Sequence, residues 1–140
     1  MRGSHLVQHW AQTQSTVALS SGEAELSGIC KGASNATGLR SLCLDLGFKM
    51  QLTVLTDATA AIGICRRRGL GKVRHLAVAD LWIQDRVKSK DFLLEKVAGS
   101  SNPADLLTKH LEHPTVSKHL DFMGLQFEEG RADCAPQLTH

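Results

Sequence analysis

The 140-residue sequence predicts a layered α/β domain in which helices are interleaved with strands. Two observations indicate this fold class. The first is a stripe of apolar residues at three- and four-residue steps, long enough for about six helical turns. The second is a pair of short apolar segments, near positions 52 and 92, with helical patterns between them. Helices that alternate with single strands are typical of layered α/β domains.

Composition and charge are those of an ordinary globular protein. The apolar fraction is 42%, the charged fraction is 21% and the net charge is +2. There is no run of 18 apolar residues and no secretory signal, so we expect an intracellular protein, cytoplasmic or nuclear, without membrane contact. The cysteines are far apart and form no C-x-x-C pair, which favours free thiols over disulfides. They are Cys30, Cys43, Cys65 and Cys134.

The first long helix has clear start and stop signals. Residues 5–19 are predicted to be extended, and Ser20 and Glu23 then form an S-x-x-E capping box. Gly47 is expected to end the helix. The glycines inside it, at positions 28, 32 and 38, suggest close packing against a sheet. The apolar stripe consists of Leu26, Ile29, Ala33, Ala36, Leu39, Leu42 and Leu46.

The rest of the chain alternates between strand and helix patterns. Asn102 and Pro103 have the positions of an N-cap and a first helical residue, and residues beyond Gly130 are expected to form a frayed tail. We therefore predict a main domain at 1–112 and a carboxy-terminal helix with a tail at 113–140. The predicted elements are a strand that starts at Leu52 and ends at Asp57, helices at 58–67 and 75–88, a strand at 92–97 and a helix at 114–121.

Three acids lie near the starts of predicted helices: Glu25, Asp57 and Asp105. A negative charge at this position complements the helix dipole, which gives each acid an ordinary explanation. Asp57 also closes an apolar strand, and α/β sites are usually built at the carboxyl ends of strands. Carboxylates are preferred ligands of Mg²⁺, and two such ions can assist phosphodiester cleavage. The pattern alone leaves both interpretations open.

A basic segment follows the second predicted helix. No acid occurs between Asp57 and Asp80, and this stretch is rich in cations. Such a cluster predicts phosphate binding, although a solvated helix end gives the same pattern. The adjacent His75 is either a phosphate contact or a partly exposed helix residue. The candidate nucleic-acid-binding residues are Arg66, Arg67, Arg68, Lys72, Arg74 and His75.

For the aromatic and histidine residues elsewhere, the sequence gives weaker evidence of a functional role. Trp10 and Trp82 are predicted to lie in the core. The histidines of the carboxy-terminal region have no metal-ligand spacing with a cysteine and are predicted to lie at the surface. They are His110, His113 and His119.

Four segments resemble, in order, those of the ribonuclease H module of copia-type retrotransposon Pol polyproteins. They are T-V-A-L-S-S-G-E-A-E-L at 16–26, T-D before a small-residue helix at 56–57, K-V-R-H-L at 72–76 and N-P-A-D-L-L-T-K at 102–109. The resemblance extends from residue 5 to about residue 111. It implies a ribonuclease H-like fold, in which helices flank a mixed sheet.

The resemblance also implies a chemistry. Glu25, Asp57 and Asp105 match the family's metal-binding catalytic carboxylates, and an intact member uses two Mg²⁺ (or Mn²⁺) ions. Such an endonuclease hydrolyses the RNA strand of an RNA–DNA hybrid. The implied partners are that hybrid and the reverse transcriptase portion of the same polyprotein.

The chain departs from the family pattern at its amino terminus. The family's first two strands, with the first catalytic aspartate, have no counterpart here. In the family, that first strand lies between the strands that correspond to residues 5–19 and 51–57, so its loss leaves either a direct pairing or an open edge. We expect the isolated chain to be inactive. A fragment, a decayed element, a mis-bounded gene model, a non-catalytic nucleic-acid-binding remnant and a domesticated interaction domain all remain open.

Overall fold

A computed structural model describes residues 5–14, 17–69 and 81–126, and it is mixed α/β. The chain forms two compact units, one made of Gln12–Asn102 and the other of Met1–Ala11 with Pro103–His140. Two short 3-10 helices, Gly99–Ser101 and Pro103–Leu107, lie between the last strand and the last helix. The principal elements are α1 (Ser21–Asp45), β1 (Leu52–Thr56), α2 (Thr59–Arg66), α3 (Trp82–Lys88), β2 (Phe92–Lys96) and α4 (His113–Phe122).

Strands β1 and β2 form a two-stranded parallel sheet whose register begins at Leu52 opposite Phe92. Side chains of a strand point alternately to the two faces. One face is buried, as Leu52, Phe92 and Leu94 show. On the opposite face, Leu55 and Leu93 are 45% and 40% exposed. Both predicted strands are therefore present.

Helix α1 begins and ends at the predicted signals. The Glu23 N–H donates to the Ser20 hydroxyl oxygen at 3.3 Å, and the Leu19 N–H donates to the Glu23 carboxylate at 2.9 Å. These bonds satisfy donors at the free end of the helix. Gly47 follows the helix with a φ of +84°, a conformation that glycine adopts without a steric penalty.

The apolar stripe of α1 is buried along only half of its length. Leu26, Ile29 and Ala33 are in the core, whereas Leu42 and Leu46 are 56% and 66% exposed. A helix of this length extends about 37 Å, whereas five-residue strands extend about 17 Å. The carboxy-terminal half of α1 therefore projects beyond the short sheet.

The prediction of close packing at glycines 28, 32 and 38 is wrong. A Cβ atom at any of these positions would have no neighbour within 4 Å. The close approach is at Gly22, where a Cβ would lie 3.1 Å from the Ala60 Cβ of α2. Helix α1 therefore uses its first turn, and not its interior glycines, to approach a neighbour closely.

We expect Gly28→Ala and Gly38→Ala each to raise the free energy of unfolding by about 0.5–1 kcal/mol, because alanine is the better helix former. Gly22→Ala should lower it, because the added methyl group crowds Ala60. Urea unfolding followed by circular dichroism measures all three variants. An equal gain at all three positions would contradict the close contact between α1 and α2.

Helices α2 and α3 complete the core of the larger unit. Ala61, Cys65 and Ile83 are fully buried, and Trp82 packs against the core as predicted. The predicted helices at 58–67 and 114–121 are confirmed as α2 and α4. The predicted helix at 75–88 is confirmed for its described part, α3, while 75–80 lie outside the described residues.

Gln84 is a buried polar residue that joins α3 to the end of α2. Its amide nitrogen donates to the Ile64 carbonyl at 2.9 Å and to the Gly69 carbonyl at 3.1 Å. Its amide oxygen accepts from the Gly69 N–H at 2.9 Å. Since a buried amide is costly unless it is hydrogen-bonded, these contacts fix the turn that follows α2.

Two arginines hold the turn before β2. Arg40 of α1 lies 2.8 Å from one carboxylate oxygen of Asp91, and Arg86 of α3 lies 3.0 Å from the other. Arg40 also donates to the Asp91 carbonyl at 2.7 Å. This arrangement connects the exposed half of α1 to the start of the strand.

The described part of residues 5–19, which the sequence predicts to be extended, contains no strand. Only His5 forms an isolated bridge, and the Leu6 N–H donates to the Met123 carbonyl at 3.2 Å. A strand needs a neighbouring strand to satisfy its backbone groups. Trp10 is 42% exposed and His119 is buried, so the predictions for these two residues are wrong.

The cysteines among the described residues are in the reduced state that the sequence predicts. Cys30, Cys43 and Cys65 are free thiols, as predicted, and Cys134 lies outside the described residues. Burial raises the pKa of the Cys65 thiol to about 11, so it stays protonated at neutral pH. Within the described ranges, no helix has both the length and the apolar character needed to cross a membrane.

Candidate metal and phosphate site

Asp57 lies at the carboxyl end of β1, directly after the last strand residue. The buried Thr56 fixes this point: its hydroxyl accepts from the Ala58 N–H at 3.2 Å, and its carbonyl accepts from the Val97 N–H at 3.0 Å. The second bond extends the pairing of the two strands by one residue. Asp57 and the segment after β2 therefore share one edge of the sheet, here called the carboxyl edge.

Two residues of the segment after β2 border the Asp57 carboxylate. The Asn102 side-chain amide donates to Oδ1 at 3.4 Å. A Cβ atom at Gly99 would lie 3.5 Å from Oδ2. One carboxylate oxygen is thus bound by an amide, and the other faces a residue without a side chain.

A positively charged side chain, that of Lys96, lies close to the same edge. Lys96 is the last residue of β2, and its ammonium donates to the Thr59 hydroxyl at 2.8 Å. Thr59 is the first residue of α2, whose cap residue, Ala58, makes no side-chain hydrogen bond. A lysine beside a helix amino terminus makes the local field positive, which suits an anionic substrate.

Glu25 is exposed on α1, one turn after Gly22. Gly22 contacts Ala60, so the first turn of α1 lies against the first turn of α2. Asp57 lies two residues before α2. The helix packing therefore brings the amino ends of both acid-bearing elements to the same region of the larger unit.

Asp105 belongs to the smaller unit and is engaged in an ion pair. Lys109, one helical turn later, lies 2.9 Å from the Asp105 Oδ2. Among the described residues, no group of three or more His, Cys, Asp or Glu side chains is arranged to hold a metal ion. The convergence of Glu25, Asp57 and Asp105 therefore stays a prediction.

The described part of the basic segment has mixed roles. The Arg66 guanidinium donates to the Leu94 carbonyl at 3.0 Å, so this residue also ties α2 to β2. Arg68 is exposed, whereas Arg67 is half-buried. Lys72, Arg74 and His75 lie outside the described residues.

Sequence patterns do not reveal three residues of this region. They give Asn102 only a capping role, and they give Lys96 and Gln84 none. Asn102 contacts a residue 45 positions away, and no local pattern indicates such a contact. The usable signal is the parallel arrangement of the strands, which brings the segment after one strand next to the segment after the other.

The residues at the carboxyl edge fit a hard divalent cation in their chemistry. Asp57 offers a half-buried carboxylate, and the missing side chain at Gly99 leaves a space that a Cβ would fill. Carboxylate oxygen is a preferred ligand of Mg²⁺, which usually binds through one or two carboxylates and retains waters. Asp57 is thus the best-fitting ligand among the predicted acids.

The smaller unit contains an apolar cavity of about 410 Å³. Met123 and the exposed Trp10 help to line it, together with Leu6, Pro103 and Leu106. The described residues of its lining include no carboxylate, so they offer no ligand for the cation chemistry considered above.

Comparison with known proteins gives one relevant similarity. The chain is similar to the "Retrovirus-related Pol polyprotein from transposon TNT 1-94" of Nicotiana tabacum, with 28% identity over 101 residues. The match covers 71% of this chain and 8% of the polyprotein, so the chain spans less than a tenth of that relative. No protein-family model and no solved structure matches the chain. The similarity supports a retroelement origin for this chain.

Proposed function

We propose that the chain belongs to the ribonuclease H module of a retroelement Pol polyprotein, a module that hydrolyses the RNA strand of RNA–DNA hybrids and is inactive as this isolated fragment. The observation that carries the proposal is Asp57, a half-buried carboxylate at the carboxyl end of a parallel strand. The similarity to a Pol polyprotein and the order of the copia-type motifs support it.

In this proposal, each acid has a defined role. Asp57, Glu25 and Asp105 bind the divalent cations, and Lys109 is displaced from Asp105 when the site is loaded. When bound, Mg²⁺ supplies an activated water and a positive charge for the leaving oxygen. Lys96 adds positive charge near the phosphate that is cut.

The proposed substrate is an RNA–DNA hybrid duplex of any base sequence. The basic segment, residues 66–75, contacts phosphates, and these contacts carry no sequence information. Discrimination for RNA rests on its 2′-hydroxyl groups and on the groove shape of the hybrid. The reverse transcriptase portion of the same polyprotein supplies this substrate as the product of DNA synthesis on RNA.

A second function has support from the sequence. The 140 residues carry three of the four family carboxylates, which favours a non-catalytic nucleic-acid-binding remnant if no further acid is supplied. Both functions require phosphate binding by the basic segment. Only the first requires the carboxylates.

Phosphate binding is tested by its salt dependence. Each lysine or arginine that neutralises a phosphate releases counterions, which contributes roughly −0.9 to the slope of log affinity against log salt. We expect the Arg68→Ala, Lys72→Ala, Arg74→Ala triple variant to make the slope shallower by roughly 0.9 for each phosphate that is no longer neutralised. Fluorescence anisotropy with a labelled RNA–DNA hybrid at several salt concentrations measures it.

A matched control removes the same charge elsewhere. Lys31, Lys49 and Lys88 are exposed residues outside the basic segment, and their triple alanine variant should keep the parent slope. If both triple variants make the slope shallower by the same amount, overall charge explains the binding. If neither changes the slope, the basic segment is not where phosphates bind.

A further inference from the structure

The two oxygens of the Asp57 carboxylate have different surroundings. Oδ1 accepts a hydrogen bond from the Asn102 amide at 3.4 Å. Oδ2 points towards Gly99, where a Cβ would lie 3.5 Å away. In a free carboxylate the two oxygens are nearly equivalent, because rotation of the group exchanges their positions. Here the bond from Asn102 removes that equivalence, because it is made to Oδ1.

The Asn102 side chain is itself built on a short, constrained turn. Its backbone N–H donates to the Gly99 carbonyl at 3.1 Å, which closes the 3-10 helix Gly99–Ser101. Pro103 follows, and proline restricts the backbone of the residue before it. Because the backbone is already fixed, holding the amide in place costs little additional conformational entropy.

We infer that Asn102 is a positioning residue: it holds Oδ1 of Asp57 and leaves Oδ2, on the side of Gly99, to bind a divalent cation. The cation itself rests on the proposed function, whereas the asymmetry of the carboxylate rests on the contacts of Asn102 and Gly99. Groups that orient a metal ligand typically change metal affinity by about 10–100-fold. The long bond of 3.4 Å places the expected effect at the lower end of that range.

An amide and a carboxylate at position 102 should affect cation binding differently. Asn102→Ala removes the donor and should weaken cation binding about 10-fold. Asn102→Asp keeps the shape but places a second negative charge beside Asp57. Like charges at this distance repel in the absence of metal, and a second carboxylate strengthens divalent-cation binding. The two variants should therefore move the affinity in opposite directions.

The experiment is an Mn²⁺ titration of the ¹⁵N-labelled 140-residue chain, followed by NMR. Paramagnetic broadening of the Gly99 and Asp57 amide signals gives the dissociation constant at this site. We expect weaker binding for Asn102→Ala, tighter binding for Asn102→Asp and loss of site-specific broadening for Asp57→Asn. Asn35→Asp makes the same chemical change on α1 and should leave the dissociation constant unchanged.

The outcomes separate this inference from the proposed function. If Asp57→Asn abolishes broadening while Asn102→Ala keeps the parent dissociation constant, the positioning role is overturned and the cation site stands. If Asp57→Asn broadens like the parent, both are overturned. A residue that only stabilises the turn would lower the melting temperature without moving the dissociation constant. If Asn102→Ala does not fold, Asn102→Ser takes its place, because it also removes the amide donor, and a parent-like dissociation constant for it overturns the positioning role.

Discussion

A chain extended at its amino terminus is expected to cut the RNA strand of an RNA–DNA hybrid, and the 140-residue chain is not. The extension consists of two strands, with an aspartate on the first, from a full-length copia-type relative. Residues that act together in catalysis are strongly non-additive, and loss of one typically costs on the order of 10⁴-fold or more. If Glu25, Asp57 and Asp105 are three of four catalytic acids, we therefore expect a negligible rate from the 140-residue chain.

Cleavage of a labelled hybrid in Mg²⁺, with product resolved on a denaturing gel, measures this difference. The control is Asp57→Asn in the extended chain, which keeps the fold and removes one carboxylate. It should abolish the restored activity. Robust cleavage by the unextended chain would show that the fourth acid is dispensable. An inactive but well-folded extended chain would favour the nucleic-acid-binding remnant.

The parts of the fold that are predictable from sequence are those set by local interactions. The limits of α1 follow from Ser20, Glu23 and Gly47, which act within one turn of the helix ends. The position of Asp57 at the end of a strand follows from the apolar run before it. Capping bonds and strand ends depend on neighbours in sequence, so the sequence carries the information directly.

The parts that are not predictable depend on the shape of other elements. Leu42 and Leu46 continue the apolar stripe but are exposed, because the length of the sheet is not a property of the helix sequence. Gly28 and Gly38 have the same residue type as Gly22, yet only Gly22 meets a neighbour. The interior glycines indicate poor helix propensity and not contact.

The candidate site also has features that are predictable from sequence and features that are not. The type and order of its acids are readable from motifs, but the bond between Asn102 and Asp57 spans 45 residues and depends on the pairing of β1 with β2. Gly99 matters only because that pairing places it beside a carboxylate. Tertiary pairing, and not local pattern, makes these residues part of the site.

The sheet gives the largest expected change in stability. Phe92 and Leu93 are neighbours in β2, but their side chains point to opposite faces, and they are 1% and 40% exposed. Phe92→Ala should lower the free energy of unfolding by about 3–5 kcal/mol, because it removes a large side chain from a packed core. Leu93→Ala should cost less than about 1 kcal/mol, because its face of the sheet is open. Guanidinium unfolding of both variants measures the difference.

The matched pair also tests whether that face is open in solution. Parallel sheets are almost always covered on both faces, so an exposed Leu55 and Leu93 are unusual. A cost for Leu93→Ala as large as that for Phe92→Ala would mean that another surface covers this face in solution, and the unequal burial of the two faces would be wrong. If Phe92→Ala leaves no folded protein, Phe92→Leu retains most of the buried surface, and its cost is compared with that of Leu93→Ala in the same way.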